Sequence, residues 1–485
     1  MQRRTADGLA DMSRSSAVVV GAGPNGLAAG IALTRAGSEV TILEAANAPG
    51  GGARTAELTL PGFHHDVCSA IHPMAVASPF FRTLPLASFG LEWIQPEAAL
   101  AHPFADGSAV LLRRSVDETA RDLGEDAAAY RHVFGSLAER CDALLDVLLA
   151  PALPPRRPLT LARFGLDALH SARGFATSRF AGARARALFA GLAAHSVEPL
   201  DGIATASFAL VLGMVGHAYG WPLPRGGAQA ITDALVSYLQ SLGGTVVTEH
   251  RIERWQDLPP TDTVCFDLSP RQLAGIGGDR LPSSYRRGLS AFRYGPAAFK
   301  VDWALREPIP WRNTDCSLAG TVHVAGGFEE IIASERDVAE GREPDRPFVL
   351  LAQPSLFDGS RAPDGSHTAW AYCHVPNGST TDMTSRIEEQ IERFAPGFRE
   401  RILARHVMTP ALLEAYNANY VGGDVVGGAN DVRQILARPM LRLNPYTIPV
   451  PGWYLCSAST PPGGGVHGMC GYNAARSALR DLAGR

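Results

Sequence analysis

The hydrophobic pattern of the chain is clearest near its beginning. An apolar run at residues 17–20 leads into an Ala-rich amphipathic segment at 27–35, and a second apolar run follows at 40–43. Short continuous apolar runs are typical of buried strands, whereas apolar residues that recur every three or four positions are typical of helices. The segment therefore predicts a strand, a helix and a second strand.

Glycines lie at the turn between the first strand and the helix. Gly21, Gly23 and Gly26 form G-x-G-x-x-G, and Glu44 follows the second strand. In such a unit the first glycine allows a tight turn, the second admits a pyrophosphate to the backbone, and the third lets the helix pack on the sheet. The phosphates would meet the positive end of the helix that begins near Pro24, and Glu44 can bind ribose hydroxyls. This pattern predicts a dinucleotide site.

The middle of the chain alternates between helical and extended patterns. Residues 115–216 have apolar side chains at helical spacing, and a further helix precedes a strand at 245–248. Period-two alternation from Phe299 to Leu305 predicts a half-buried strand that carries Lys300. Near the end, a strand at 453–457 precedes a glycine-rich loop and a helix at 468–482.

Length and composition limit the classes of protein to which the chain can belong. With 485 residues, of which 46% are hydrophobic, the chain can form two or more domains. A net charge of −4 implies no nucleic-acid partner. Seven scattered cysteines without C-x-x-C suggest neither a disulfide framework nor a metal site, which favours a cytoplasmic protein. No apolar run reaches the roughly eighteen residues of a membrane span, and residues 1–14 are interpreted as a disordered tail.

The motifs GAGPNG, PGGGART and FHHDVCSAIHP, together with Glu44, resemble the N-terminal region of phytoene-desaturase-like FAD-dependent oxidoreductases, which belong to the flavin amine oxidase superfamily. The resemblance implies that FAD is the dinucleotide. It also implies that the C-terminal glycine-rich loop and helix point at the flavin. The expected cofactor-binding residues are Gly21, Gly23, Pro24, Asn25, Gly26, Glu44, Ala45, Gly51, Gly52, Arg54, Thr55, Gly226, Gly464, Gly465, Val466, Gly468 and Met469.

Two residues are expected to be catalytic. Lys300, the only lysine of the chain, matches a superfamily lysine that holds a water near flavin N5. An amine can release a proton there, whereas a guanidinium cannot. His467, next to the flavin motif, is a candidate proton carrier, as is His217. The segment YVGGDVVGGAND lacks the strand and Ala-rich helix of a second dinucleotide turn and is interpreted as a loop near the flavin.

The resemblance implies an α/β fold: a Rossmann-type, glutathione-reductase-like FAD-binding domain, discontinuous in sequence, and an α+β substrate domain with a mixed sheet and a helical segment. The expected FAD-binding domain comprises residues 15–75, 218–285 and 435–485. The expected substrate-binding domain comprises 76–217 and 286–434, including the helical segment 115–216.

The expected reaction is dehydrogenation (desaturation) of a hydrophobic small-molecule or lipid-like substrate, with hydride transfer to flavin N5. With one nucleotide fingerprint in the chain, the expected electron acceptor is oxygen, a quinone or a protein. Arginines near the helical segment leave peripheral membrane contact open. Two alternatives stay open: a flavin amine oxidase, and a flavin isomerase, saturase or non-catalytic FAD-binding protein. Met469 stands where monoamine-type relatives place an aromatic side chain, which weakens the amine alternative.

Overall fold

The computed structural model describes residues 15–151 and 157–484. The predicted tail at 1–14 lies outside these ranges. The strands are β1 (Ser16–Val20), β2 (Glu39–Leu43), β3 (Thr55–Glu57), β4 (His64–Asp66), β5 (Trp93–Ile94), β6 (Ala98–Pro103), β7 (Ala109–Arg113), β8 (Leu223–Pro224), β9 (Thr245–Val247), β10 (Thr263–Phe266), β11 (Ala297–Leu305), β12 (Ala319–Val324), β13 (Val349–Ala352), β14 (His367–Val375), β15 (Ile402–Met408) and β16 (Trp453–Leu455).

The helices are α1 (Pro24–Arg35), α2 (Pro73–Val76), α3 (Val116–Arg121), α4 (Ala127–Glu139), α5 (Cys141–Leu148), α6 (Pro158–Ala168), α7 (Ala172–Arg179), α8 (Ala183–Ala194), α9 (Ala206–Tyr219), α10 (Gln229–Ser241), α11 (Pro270–Gly277), α12 (Ser283–Ser290), α13 (Phe328–Ala339), α14 (Thr384–Phe394), α15 (Pro410–Tyr416), α16 (Val432–Leu436) and α17 (Met469–Ala483). None of the helices in the described part of the chain combines the length and apolar character needed to cross a bilayer.

A parallel five-stranded sheet holds the glycine fingerprint at its centre. Its order is β16-β10-β1-β2-β9, and every neighbouring pair is parallel. Strand side chains alternate between faces, so Val19 and Ile42 pack with α1, α10 and α17, while Val18 and Phe266 pack with α11 and α12. Burial on both faces explains why these strands appear in the sequence as continuous apolar runs.

A mixed seven-stranded sheet forms the second part of the molecule. Its order is β15-β11-β14-β13-β12-β6-β7, with β12 and β6 parallel and the other pairs antiparallel. One face packs against α14 through a core that includes Phe299, Val301 and Ile391. Helices α3 to α9 form the predicted helical segment, and their apolar side chains join the core of the first sheet. The predicted α/β fold class is confirmed.

Strand β11 differs from its prediction. The alternation of Lys300 and Asp302 with apolar neighbours predicted a half-buried strand, but all nine residues of β11 are buried. The polar face is covered because the β3–β4 hairpin lies over it, where His65 Nδ1 is 3.6 Å from an Asp302 carboxylate oxygen. The alternation therefore marks two buried faces, one apolar and one ionic.

The strands fall into the segments expected for two domains. The five parallel strands lie within 15–75, 218–285 and 435–485, and the seven mixed strands lie within 76–217 and 286–434. We propose this division of the chain into two domains because each sheet uses strands from only one set of segments.

A fully buried ion pair joins elements from both sets. An Arg361 Nη atom donates to an Asp66 carboxylate oxygen at 2.7 Å, and neither side chain is exposed. Asp66 also accepts hydrogen bonds from the Thr55 hydroxyl at 2.9 Å and from the Ala228 N–H at 2.7 Å, just before α10. The pair thus ties the β3–β4 hairpin and the start of α10 to the segment before β14.

We expect Asp66→Asn to lower the free energy of unfolding by about 3–5 kcal/mol, because the Arg361 charge would remain buried without its counter-ion. Urea unfolding would measure the loss. The control is Asp117→Asn, which removes the exposed Asp117–Arg131 ion pair and should cost about 0–1 kcal/mol. Equal losses of unfolding free energy in the two variants would contradict the prediction that the buried ion pair stabilises the fold more than the exposed one.

Candidate functional site

One cavity runs from the glycine fingerprint into the mixed sheet. It has a volume of about 470 Å³ and is lined by residues of both sheets and of α9. Gly21 and Glu44 lie on its wall at one end, and Thr321 and Leu350 lie on the same wall in the mixed sheet. A single cavity therefore connects the predicted dinucleotide turn with the predicted substrate domain.

The glycine fingerprint adopts the geometry that its sequence predicts. Gly21 has φ 101° in the turn from β1 to α1, and its N–H donates to the Leu43 carbonyl at 2.8 Å, which extends the β1–β2 ladder to the turn. Gly23 precedes α1 without any side-chain cap. Of the expected residues, Gly21, Gly23, Pro24 and Asn25 line the cavity, and the Asn25 amide oxygen is buried without a partner. The exposed end of α1 can receive an anion from the cavity.

Gly26 packs the helix and does not line the cavity. A Cβ at this position would lie 2.0 Å from the Gly21 carbonyl oxygen, so only glycine lets α1 approach the turn. Its N–H donates to Asp267 Oδ2 at 2.9 Å. Its role is therefore to set the distance between helix and strand.

Glu44 lies where a ribose would be held. Its carboxylate accepts hydrogen bonds from the N–H groups of Ala22 at 2.7 Å and Ala46 at 2.9 Å, which fix the side chain against the cavity. Ala45 lies on the wall beside it. A carboxylate oxygen can accept more than one hydrogen bond, so the Glu44 carboxylate can also accept hydrogen bonds from hydroxyl groups.

The second glycine loop is held by Tyr416, which the sequence interpretation missed, and by Tyr420, the first residue of the segment interpreted as a loop near the flavin. Gly51, Gly52 and Arg54, from the PGGGART segment, line the cavity. The Tyr416 hydroxyl donates to the Gly51 carbonyl at 2.7 Å, and Arg54 lies 5.3 Å from the centre of the Tyr416 ring. A Cβ on Gly52 would lie 2.2 Å from the Tyr420 hydroxyl. These contacts join residues more than 360 positions apart, so no local pattern predicts them.

Asp267 was also missed, although it follows directly after β10. It lies on the cavity wall beside the fingerprint, and a Cβ on Gly23 would lie 2.7 Å from its Oδ2. Burial raises its pKa to about 7, and the nearby Glu44 charge acts in the same direction, whereas the Gly26 N–H acts against them. Its position at the carboxyl end of a parallel strand is the signal that could have identified it.

Only part of the C-terminal glycine-rich motif lies on the cavity wall. Gly464, Gly465 and Val466 line the cavity. Gly468 and Met469 do not lie on the wall. A Cβ on Gly468 would lie 2.4 Å from the Phe81 ring, so this residue packs against the protein interior.

His467 also lies away from the cavity wall. Its Nδ1 accepts the N–H of Met469 at 3.0 Å, so the ring caps the first turn of α17. Burial lowers the pKa of His467 to about 4. His217, the other candidate proton carrier, is hydrogen-bonded to the Tyr130 hydroxyl at 2.8 Å and lies off the wall. The geometry places neither imidazole where it would contact a molecule in the cavity.

Two further expected cofactor residues support the wall without lining it. The Thr55 hydroxyl donates to Asp66 at 2.9 Å. The Gly226 N–H donates to Asp358 Oδ2 at 2.7 Å. Both acceptor residues contact Arg361: the Asp66 carboxylate accepts from its guanidinium at 2.7 Å, and the Asp358 carbonyl accepts its backbone N–H at 3.2 Å. The loop predicted from YVGGDVVGGAND does reach the wall, through Tyr420, Val425, Val426 and Gly427.

Lys300 lies on the wall within an ionic cluster. Its Nζ lies 2.5 Å from both carboxylate oxygens of Asp302 and 5.6 Å from the centre of the Trp370 ring. Asp302 is fully buried, with His65 and His406 each 3.6 Å away. Burial acts to raise the pKa of Asp302, but the Lys300 ammonium and the two imidazoles outweigh it and hold the pKa below its ordinary value. The cluster keeps the ammonium in a fixed position at the cavity wall.

The far end of the cavity is mostly apolar and aromatic. Met74, Leu212 and Leu350 lie on this wall, and the rings of Trp370 and Tyr372 are stacked 5.7 Å apart. Two histidines also line it and were missed as site residues: His72, which is buried, and His195, which is partly buried. His72 stands inside the quoted motif FHHDVCSAIHP, but an isolated histidine gives no sign of whether it faces a cavity.

We expect the pKa of Asp267 to give the protein a pH-dependent stability. Its folded pKa of about 7 exceeds the value near 3.9 of an unfolded aspartate. The native state thus keeps a proton that the unfolded chain releases, and the stabilisation is lost as the pH rises between about 4 and 7. Asp267→Asn should therefore lose less thermal stability than wild type from pH 5 to 8. Melting temperatures across this range would test it, with the exposed Asp262→Asn as the control; parallel profiles for all three proteins would contradict it.

Comparison with known proteins agrees with this geometry. A family model described as an NAD(P)-binding Rossmann-like domain matches residues 19–84. The chain is 26% identical to rat pyridine nucleotide-disulfide oxidoreductase domain-containing protein 2, over 96% of this chain and 93% of the relative. It is 24% identical to a carotenoid 3,4-desaturase of Haloarcula japonica, over 98% of this chain and 100% of the relative.

A solved structure shares the fold over the whole chain. Cyclohexylamine oxidase from Brevibacterium oxydans aligns with a TM-score of 0.61 at 14% identity, covering 97% of this chain and 100% of the other. The relatives named as desaturases confirm the predicted resemblance to phytoene-desaturase-like oxidoreductases, and with it the predicted class, an FAD-type oxidoreductase. The solved structure confirms the fold.

Proposed function

We propose that the chain dehydrogenates, or desaturates, a hydrophobic substrate and transfers hydride to N5 of a bound FAD. The observation that carries this proposal is the single cavity of about 470 Å³, which joins the dinucleotide turn to an apolar wall and includes Lys300. A substrate that enters the apolar end would share an enclosed space with the cofactor.

The residues at the nucleotide end fit FAD. Gly23, Pro24 and Asn25 line the wall at the N-terminus of α1, whose positive end can meet a pyrophosphate, and Glu44 presents a fixed carboxylate for a ribose. Arg54 lies on the same wall and can offset phosphate charge. Gly464 and Gly465 lie on the wall before α17, where the resemblance expects the flavin. When bound, FAD supplies the hydride acceptor.

Lys300 is the residue of the chain that we assign to the reaction. Its Nζ is fixed by Asp302 within the cavity wall and is shielded from bulk solvent, since the side chain is 3% exposed. An ammonium in that position can hold a water molecule or pass a proton. The surrounding apolar wall excludes other water, which strengthens electrostatic effects inside the cavity.

The charges on the wall favour a neutral substrate over an amine. Among the described residues that line the cavity, the acids are Glu44 and Asp267, and both lie at the nucleotide end. A protonated amine at the apolar end would lie near the Lys300 ammonium, with no carboxylate of the lining beside it. Burial of an unpaired charge is costly, so the arrangement supports the hydrophobic substrate.

The electron acceptor and location are part of the proposal. We propose oxygen, a quinone or another protein as the acceptor, because one dinucleotide fingerprint is present in the sequence. Location in the cytoplasm and peripheral membrane contact also stay predictions. The contact is supported by the exposed side chains of Leu159, Leu166 and Leu169 beside the arginines of the helical segment.

Anaerobic flavin absorbance tests the proposed function. The FAD-loaded protein is titrated with apolar unsaturated-lipid precursors and, separately, with simple amines. Loss of the oxidised-flavin band with an apolar compound would support dehydrogenation, whereas reduction by amines alone would overturn it. If no compound reduces the flavin, the isomerase, saturase or non-catalytic alternative takes precedence.

We expect Gly26→Ala to abolish retention of FAD, because the added Cβ would lie 2.0 Å from the Gly21 carbonyl and push α1 away from the turn. Flavin absorbance per protein after gel filtration would measure retention. Gly135→Ala, in α4, is the matched control, since a Cβ there meets no atom within 4 Å. Full flavin content in Gly26→Ala would contradict the assigned geometry.

For Lys300→Met we expect flavin reduction to slow about a hundredfold, the typical contribution of a group that moves a proton. Stopped-flow absorbance with saturating FAD separates this effect from loss of cofactor. Lys300→Arg is the matched variant, since it keeps the charge beside Asp302 but cannot release a proton, and it should be slow as well. Wild-type rates in both variants would remove Lys300 from the proposed reaction.

A further inference from the structure

A pair of hydrogen-bonded histidines lies at the apolar end of the cavity. His195 is partly buried and lines the cavity, whereas His323, on β12, is fully buried and does not line it. Their Nε2 atoms are 3.1 Å apart, so one ring donates this hydrogen bond and the other accepts it. Nδ1 makes no hydrogen bond within the described chain in either ring; it is fully buried in His323 but has accessible surface in His195. The direction of the bond between the rings therefore decides what His195 presents to the cavity.

Both rings are neutral at neutral pH. Burial lowers the pKa of His195 to about 3, and the nearby His374 acts in the same direction. Burial also lowers the pKa of His323 well below its ordinary value, with His195 and His102 acting in the same direction. A neutral imidazole carries one hydrogen, on either Nδ1 or Nε2. The nitrogen of His323 that carries this hydrogen therefore fixes the direction of the bond to His195.

Helix α8 determines which nitrogen of His323 carries the hydrogen. A Cβ at Gly191 would lie 2.4 Å from His323 Nδ1 and 3.3 Å from each of the two ring carbons bonded to that nitrogen. These distances put the Cβ direction close to the axis along which Nδ1 holds either a hydrogen or a lone pair. The glycine has an α-hydrogen in that direction, so a hydrogen on Nδ1 would collide with it, whereas a lone pair would face a weak C–H donor. His323 therefore carries its hydrogen on Nε2.

The same hydrogen bond makes His195 a donor toward the cavity. Its Nε2 accepts from His323, so the single hydrogen of the neutral His195 ring lies on Nδ1. The wall at this end includes the apolar side chains of Leu212 and Leu350. A donor without a partner in an apolar space costs free energy. An acceptor on a molecule in the cavity would remove this cost.

The mixed sheet sets the distance between this donor and Lys300. His323, Leu350, Tyr372 and Lys300 lie directly opposite one another on β12, β13, β14 and β11. Directly opposite residues share a face of the sheet, and three strand spacings separate His323 from Lys300 by about 14 Å. Leu350 and Tyr372 lie between them on the cavity wall. A molecule whose reacting bond lies near Lys300 can thus extend along this row to His195.

We propose that Nδ1 of His195 donates a hydrogen bond to a carbonyl oxygen of the substrate, at a distance from the bond that is oxidised. The proposal rests on the proposed function and narrows its substrate class to apolar carbonyl compounds. A carbonyl oxygen supplies the acceptor, and it brings no hydrogen of its own that an apolar wall would have to pair. A hydrocarbon would leave the Nδ1 hydrogen unpaired, and an ammonium offers only donors.

Infrared spectroscopy of a bound ketone tests this assignment. The FAD-loaded protein is mixed with 2-octanone under anaerobic conditions, and the difference between samples with a carbon-13 and an unlabelled carbonyl isolates the ligand band from the protein bands. A donated hydrogen bond weakens the C=O bond, so we expect the bound band at a lower frequency than for 2-octanone in hexane. A bound band at the hexane frequency, or no binding of 2-octanone, would overturn the proposal.

Variants of His195 make the test specific. His195→Phe should return the band to the hexane frequency, and His195→Gln, which keeps an N–H donor, should restore part of the shift. One control is Tyr372→Phe, which removes the hydroxyl that lies between Lys300 and His195. The other is His217→Leu, which removes a buried histidine that bonds Tyr130 away from the wall. A shift that survives in His195→Phe, or is lost in either control, would overturn the assignment.

Affinities test the same hydrogen bond without its spectrum. Quenching of tryptophan fluorescence measures binding, since Trp221 and Trp370 line the cavity. We expect His195→Phe to bind 2-octanone about tenfold more weakly than wild type, as the loss of one buried hydrogen bond allows, and to bind octane no more weakly. An equal loss for octane would overturn the hydrogen bond, and a larger loss for 1-octanol than for 2-octanone would overturn the carbonyl class.

These measurements are independent of turnover. If no compound reduces the flavin, the proposed dehydrogenation fails, but the carbonyl band still decides whether His195 donates to the ligand. If apolar compounds reduce the flavin and the carbonyl band is the same in wild type and His195→Phe, the dehydrogenase proposal stands and the carbonyl proposal fails.

Discussion

The close approach of two helices to the glycine turn determines how the rest of the molecule is arranged. A Cβ on Gly26 would lie 2.0 Å from the Gly21 carbonyl, and a Cβ on Gly471 would lie 1.8 Å from the Asn25 carbonyl. Glycine at both positions lets α1 lie directly on the turn and lets α17 cross the start of α1. As a result, the start of α1 and the loop before α17 line the same cavity. Displacement of either helix would separate the two motifs that together form one wall.

Polarity changes in steps along this cavity. The two lining carboxylates, Glu44 and Asp267, lie at the nucleotide end beside the positive end of α1. The Lys300 ammonium with its buried counter-ion Asp302 follows. Beyond it come apolar side chains and two neutral histidines, whose pKa values burial keeps low. The order of these groups allows a charged cofactor and an uncharged, mostly apolar molecule to share one space without burial of an unpaired charge.

Sequence reasoning located the parts of the site that depend on neighbouring residues. The fingerprint from Gly21 to Gly26, the acid Glu44 and the loop around Gly464 could be identified because a glycine or an acid follows a strand at fixed spacing. The contact of Tyr416 with Gly51 could not, because the two residues lie more than 360 positions apart. His467 lay in the right motif, but local spacing does not show that its ring caps α17.

The two faces of β11 show the same limit. Alternation predicted that Lys300 and Asp302 lie on one face, and they do. It could not show that the β3–β4 hairpin covers that face, since a covered ionic cluster and a solvated charged face have the same sequence pattern. Tertiary contacts from distant segments decide between the two.

The presence of a single lysine has a practical consequence for spectroscopy. Because Lys300 is the only lysine of the chain and lies on the cavity wall, biosynthetic incorporation of isotopically labelled lysine introduces one labelled side chain, at the site itself. Its resonance can be assigned without mutagenesis. The same label would report on hydrogen bonding, solvent access and ligand entry at one atom, without background from the rest of a 51.5 kDa protein.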